Sequence, residues 1–165
     1  MEVIGPKGSF GSVRVLGPVR KRTQIEVSRT DTFRLGVEAP VRASGNLVGT
    51  PRIKLRGPAG EIETNGLIIA ARHIHMTPED AGKMGLKNGD YVDVKLGDGA
   101  RDLSFSNTLI RVSDDFVTEM HIDTDEANAA GISVNSSAEL VRDNTTGAAT
   151  IESRQNMELD VDASS

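Results

Sequence analysis

Apolar residues recur at every second position in five short stretches: "SVRVLG" (12–17), "TQIEVS" (23–28), "RIKLRG" (52–57), "YVDVKLG" (91–97) and "TLIRVS" (108–113). Successive side chains of a strand point to opposite faces, so each stretch predicts a strand with one buried face. "LGDGA" at 96–100 places the Asp-Gly pair of tight hairpins between two strand-like runs, which predicts that the chain doubles back there. Many short strands separated by glycine, with a few short helices, point to small barrels or sandwiches. After about Val141 the sequence "RDNTTGAATIESRQNMELDVDASS" is polar and acidic with little periodicity, and most of it is expected to be a tail.

A second pattern is superimposed on the first. Three thirteen-residue windows align without a gap: "IEVSRTDTFRLGV" from Ile25, "IHMTPEDAGKMGL" from Ile74 and "MHIDTDEANAAGI" from Met120. The fourth position is Ser28, Thr77 or Asp123, whose side-chain oxygen can cap a helix by accepting from an unpaired backbone N–H. Three residues later stand Asp31, Asp80 and Glu126, in the position that completes a capping box and suits the positive end of the helix dipole. Gly36, Gly85 and Gly131 then supply the left-handed conformation that ends a helix. Each window therefore predicts a strand, a tight turn and a short helix.

Composition narrows the chemistry. The 165 residues include no cysteine, so disulfides and thiolate metal sites are excluded. The longest apolar run, Leu67 to Ala71, falls well short of the ~18 residues of a membrane span, and a soluble protein without a secretion signal is expected. The net charge of −5 is unevenly divided: residues 1–60 hold 11 Lys and Arg against 4 Asp and Glu, whereas 61–165 hold 8 against 20. Arg20, Lys21 and Arg22 form the densest basic cluster, a candidate receptor for an anion. The acidic total and only five aromatic residues argue against nucleic-acid binding.

The second position of the three windows holds Glu26, His75 and His121, each of a metal-ligating type. His73 shares a strand face with His75, since residues two apart point the same way. All three histidines of the chain thus fall on the repeated feature. A lone His-X-His pair is commonly a surface or hydrogen-bonded strand pair, and the residues alone leave both readings open. As a set, three histidines would leave one tetrahedral position for water or substrate, which is the pattern of a catalytic zinc.

Three separated motifs, "GPVRKRTQIEVSRTDTFRLG", "IIAARHIHMTPEDAGKMGLKNGDYVDVKL" and "EMHIDTDEANAAG", resemble the phosphate propanoyltransferase (phosphotransacylase) family associated with bacterial microcompartments. The likeness runs over roughly residues 3 to 142, with the motifs in the family's order. It implies a mainly β fold with short α-helices, in which two small β-barrels are flanked by the helices. The expected organisation is a first barrel over 1–66, a second over 67–142 and a polar, flexible tail over 143–165. The resemblance also implies an earlier Arg-His-X-His segment, absent before Met1, so both barrels are expected to be incomplete unless a missing segment or second chain supplies the rest.

The family moves a short acyl group, propanoyl or acetyl, between coenzyme A and inorganic phosphate at a two-zinc site. By motif, the resemblance makes His73, His75 and His121 ligands of one zinc, Glu26 a ligand of the other, and Arg20 the catalytic, phosphate-binding arginine. It further implies a homo-oligomer, cytoplasmic or enclosed in a microcompartment. Without a cysteine or a recognisable serine-nucleophile motif, direct attack by phosphate is the expected route. The rivals are a catalytically impaired or non-enzymatic double-psi-like β-barrel serving binding or assembly, and a metal-dependent hydrolase using the same histidines to activate water.

Overall fold

The structure is a computed structural model that describes residues 1–16, 19–97, 100–133, 136–141 and 149–151. It is mainly β with short helices, and includes a sheet that curls as half a barrel. Among the described residues no helix is long and apolar enough to cross a membrane. The chain divides into two compact units, one formed by Met1–Ala70 and the other beginning at Ala71.

The first unit contains β1 (Glu2–Ile4), β2 (Ser9–Phe10), β3 (Ile25–Glu26), α1 (Arg29–Leu35), β4 (Val41–Arg42), β5 (Arg52–Gly57), β6 (Gly60–Asn65) and β7 (Leu67–Ala70). An antiparallel sheet has the order β2-β1-β5-β6, and a parallel one the order β3-β7-β4. The alternation of "RIKLRG" sends Ile53 and Leu55 into a core shared with Val3, Phe10, Leu35, Leu67 and Ile69. β7 is apolar throughout, as a strand flanked by parallel partners on both edges should be. The run at 12–17 departs from expectation, since its described residues, 12–16, form no strand. Ser12 turns the backbone aside at φ 62, Val13 alone exchanges backbone bonds with Met1, and Val15 and Leu16 stay exposed. Alternation gives a capacity for strand, but a strand needs a ladder to join.

The second unit contains β8 (His73–Met76), α2 (Pro78–Met84), β9 (Tyr91–Leu96), β10 (Leu103–Val112), β11 (Glu119–His121), α3 (Thr124–Ala130), β12 (Ala138–Val141) and β13 (Ala149–Ile151). One mixed sheet has the order β11-β8-β10-β9-β12-β13. β9 and β10 form the expected hairpin with Leu96 opposite Leu103, although Asp98 and Gly99 of its turn lie outside the described residues. Ile74, Met76, Val94, Leu96, Ile110, Met120 and Leu140 are almost wholly buried on the core side. Within the stretch expected to be a tail, residues 149–151 pair with β12, while 142–148 and 152–165 lie outside the described residues.

The three repeat windows fold alike. β3, β8 and β11 each lead within one or two residues into α1, α2 or α3, and Gly36, Gly85 and Gly131 end the helices at φ 73, 64 and 65. Ser28 with Asp31 and Asp123 with Glu126 form complete capping boxes. The middle window is different. Thr77 Oγ1 accepts from the Asp80 N–H at 3.1 Å, but the Asp80 carboxylate accepts from the Thr118 hydroxyl, whose oxygen in turn accepts from the Thr77 N–H at 3.4 Å. A hydroxyl from the residue before β11 is thus inserted into the box.

Candidate metal centre

Strand register builds the site. β8 lies between β10, parallel to it, and β11, antiparallel to it. His73 stands opposite His121 on one side and Leu109 on the other, while His75 stands between Glu119 and Arg111. Paired residues share a face, so alternation turns Ile74, Ile110 and Met120 into the core and leaves the three histidines, Glu119 and Arg111 on the opposite surface. The apolar side of these strands fixes the positions of the polar side.

The imidazole centroids are 4.8 Å apart for His73 and His75, 4.7 Å for His73 and His121, and 4.4 Å for His75 and His121. One nitrogen from each ring can be chosen so that all three lie within 4.8 Å of one another. His73 Nδ1 is 3.0 Å from the Ala71 carbonyl; as donor to that oxygen it leaves its Nε2 lone pair available. Phe116 stacks on His75 at 3.9 Å and 12° between planes. Glu119 Oε1 lies 3.1 Å from His121 Nε2 and 4.0 Å from His75 Nδ1, but is aligned for a hydrogen bond with neither.

Burial favours the neutral form of two of the rings, His73 and His75. Burial lowers the pKa of His73 to about 4, helped by His121 and Arg111 and opposed by the bond to Ala71. Burial likewise lowers His75 to about 3, with His121, His73 and Arg111 adding to the effect. Both rings are therefore unprotonated near neutral pH, as metal ligands must be. The Nε2 atoms of His75 and His121 are buried without a hydrogen-bond partner among the described residues. Leaving such an atom unsatisfied costs about 1–3 kcal/mol, and a coordinated cation removes that cost for both. Three close imidazoles, of which burial holds His73 and His75 neutral, with two buried nitrogens that make no hydrogen bond among the described residues fit a divalent ion that accepts nitrogen ligands, zinc among them.

Supporting residues hold the strands in place. Arg72 donates through Nε to Glu126 Oε1 at 2.6 Å and through Nη1 to the Ser106 carbonyl at 3.0 Å, and its guanidinium lies 4.7 Å over the Phe105 ring. Glu126 also closes the capping box of α3, so Arg72 ties the start of β8 to the helix that follows His121. The arginine of the Arg-His-X-His motif is an anchor here.

Of the residues singled out in the sequence, the structure brings together His73, His75 and His121. Arg20 and Glu26 belong to the first unit. Arg20 is exposed, whereas Glu26 is half-buried in β3 and its carboxylate accepts from the Gln24 amide, which also donates to Ser44 Oγ at 2.9 Å. Sequence reasoning missed Glu119 and Arg111. Glu119 was accessible to it, being two residues before His121 on the same strand, but Arg111 joins the histidine face only through the pairing of β10 with β8.

The family model for phosphate propanoyltransferase matches residues 1–133. A phosphate propanoyltransferase of Limosilactobacillus reuteri is 50% identical over 139 residues, which cover 84% of this chain and 65% of that protein. One of Thermotoga maritima is 58% identical over 129 residues, covering 78% and 61%, and one of Salmonella typhimurium is 54% identical over 130 residues, covering 78% and 62%. The chain thus spans slightly less than two thirds of the length of each of these three relatives.

Proposed function

Since the chain belongs to the phosphate propanoyltransferase family, we propose that it moves a short acyl group, propanoyl or acetyl, between coenzyme A and inorganic phosphate. The observation that carries this reading to a specific place is the pair of buried Nε2 atoms beside His73, those of His75 and His121, which make no hydrogen bond among the described residues. His73, His75 and His121 would hold a zinc ion, which when bound polarises the thioester carbonyl and offsets charge developing on its oxygen. The bond from His73 to Ala71 fixes one ring, and Phe116 fixes the plane of another, so little ordering remains to be done when the metal binds.

In the acyl phosphate-forming direction, a phosphate oxygen attacks the thioester carbon, the carbon–sulfur bond breaks, and the proton of hydrogen phosphate passes to the departing sulfur. Acyl-CoA and phosphate become acyl phosphate and free coenzyme A. The chain offers no cysteine for a covalent intermediate, so attack is assigned to phosphate itself. We assign Arg20 to phosphate binding and Glu26 to a second zinc because these residues match the family's motifs. The guanidinium of Arg20 is suited to that task by its bidentate geometry toward phosphate oxygens. A homo-oligomer, in the cytoplasm or within a bacterial microcompartment, is the setting the family suggests.

Zinc content and thiol release from propanoyl-CoA test the reading together. The zinc-loaded chain should release thiol only when phosphate is present, and the triple variant His73→Ala, His75→Ala, His121→Ala should lose about one equivalent of zinc along with that activity. Unchanged zinc content in the triple variant would remove the metal assignment. Thiol release that does not depend on phosphate would instead make the protein a hydrolase.

A further inference from the structure

Arg111 is the unexplained charge on the histidine face. It stands directly opposite His75 across the β8–β10 ladder, on the side away from Glu119. It is half-buried, and its guanidinium makes no hydrogen bond or ion pair among the described residues. Its Cζ lies 5.7 Å from the ring centroid of Phe116, which stacks in turn on His75. Arg72, just before His73, shows what a satisfied arginine looks like on this sheet, with a carboxylate, a carbonyl and an aromatic ring as partners.

A partly desolvated guanidinium without an acceptor is costly, and its placement here adds to the cost. A divalent cation on the same face would place further positive charge beside it. Glu119, on the far side of His75, answers part of that charge but makes no ion pair with Arg111 among the described residues. An anion resting between the guanidinium and the metal would satisfy both centres, and the planar donor fork of arginine matches two oxygens of a tetrahedral phosphate.

We propose that Arg111 anchors a phosphate group, that of free inorganic phosphate or one carried by coenzyme A, against the His73–His75–His121 face. This rests on the proposed metal and transferase reading and adds to it a binding residue within the second unit. Arg111 supplies the fixed positive group toward which the anion is oriented, beside the histidines that would hold the metal.

The test is calorimetric binding of inorganic phosphate and, separately, of coenzyme A to the zinc-loaded chain, for wild type, Arg111→Gln and Arg111→Lys. Loss of a charge-assisted pair should weaken the anchored ligand roughly tenfold or more in Arg111→Gln, with Arg111→Lys falling between because it keeps charge without the fork. Zinc content should stay at the wild-type level in both variants. Selective weakening of phosphate identifies the co-substrate as the anchored group; selective weakening of coenzyme A identifies its phosphates; weakening of both identifies a position they share. Unchanged affinity for both ligands overturns the proposal, as does weakening that appears only together with loss of zinc, since that would place Arg111 in the sheet's structure alone. Binding needs no turnover, so an Arg111-dependent phosphate site in a chain without transferase activity would leave this inference standing and remove the functional reading instead.

Discussion

At the scale of single residues, the site depends on the environment given to ordinary imidazoles. Their type and spacing were legible in the sequence, but the neutrality of His73 and His75 was not, because it comes from burial against strands distant in the chain. Glu119 shows a similar division. Its position two residues before His121 places it on the histidine face, yet its nearness to His75 as well follows only from the antiparallel register. A carboxylate 3.1 Å from one ligand ring should favour a dication there through its charge, and supporting groups of this kind typically contribute ~10–100-fold to metal affinity. Glu119→Gln preserves shape and removes charge. Zinc affinity measured by competition with a chelator should therefore fall by at least roughly tenfold, while circular dichroism of the metal-free chain stays as in wild type. An unaltered affinity would show that the carboxylate is a bystander to the metal.

At the scale of elements, the sequence was most readable where one short segment holds all the relevant groups. The three strand–turn–helix units could be recognised because cap, third-position acid and terminal glycine are all local. The run at 12–17 misled for the opposite reason, since a strand depends on a partner that local alternation does not specify. The relay in the middle window was also hidden, as Thr118 lies 41 positions from Thr77 in the chain. That relay joins the first turn of α2 to the residue preceding β11, and so links the element after His75 to the strand bearing His121. Thr118→Val keeps the volume and deletes the hydroxyl, leaving the Thr77 N–H and one oxygen of Asp80 without this partner. Stability in urea should drop by about 1–2 kcal/mol, the usual cost of losing a cap or a part-buried hydrogen bond. Thr118→Ser should recover most of it, because serine can make the same two bonds. Equal losses in both variants would point to the methyl group's packing rather than the relay.

At the scale of the whole molecule, the residues proposed for chemistry are divided between two units that each have a core of their own. The division of charge along the chain runs the same way: the basic first 60 residues contain Arg20 and Glu26, and the acidic remainder contains the histidines. Sequence motifs name these residues without fixing an arrangement between units, whereas within the second unit the register of three strands is enough to bring the three histidines together. Arg20 is thus the residue whose role depends most on the family assignment. It is exposed, next to Lys21 and Arg22, and so is the least constrained by the fold. Arg20→Ala removes one surface cation and should leave folding and zinc content unaffected, since no core residue or metal ligand depends on it. If Arg20 binds phosphate, the KM for phosphate should rise roughly tenfold or more while the KM for propanoyl-CoA changes little, as expected for loss of a charge-assisted contact to one substrate. Arg20→Lys should recover only part of that loss, because an ammonium retains charge but not the two-pronged geometry. Full recovery by lysine would mean that the cluster supplies only a general positive field, and equal rises in both KM values would move Arg20 from phosphate to the binding of coenzyme A.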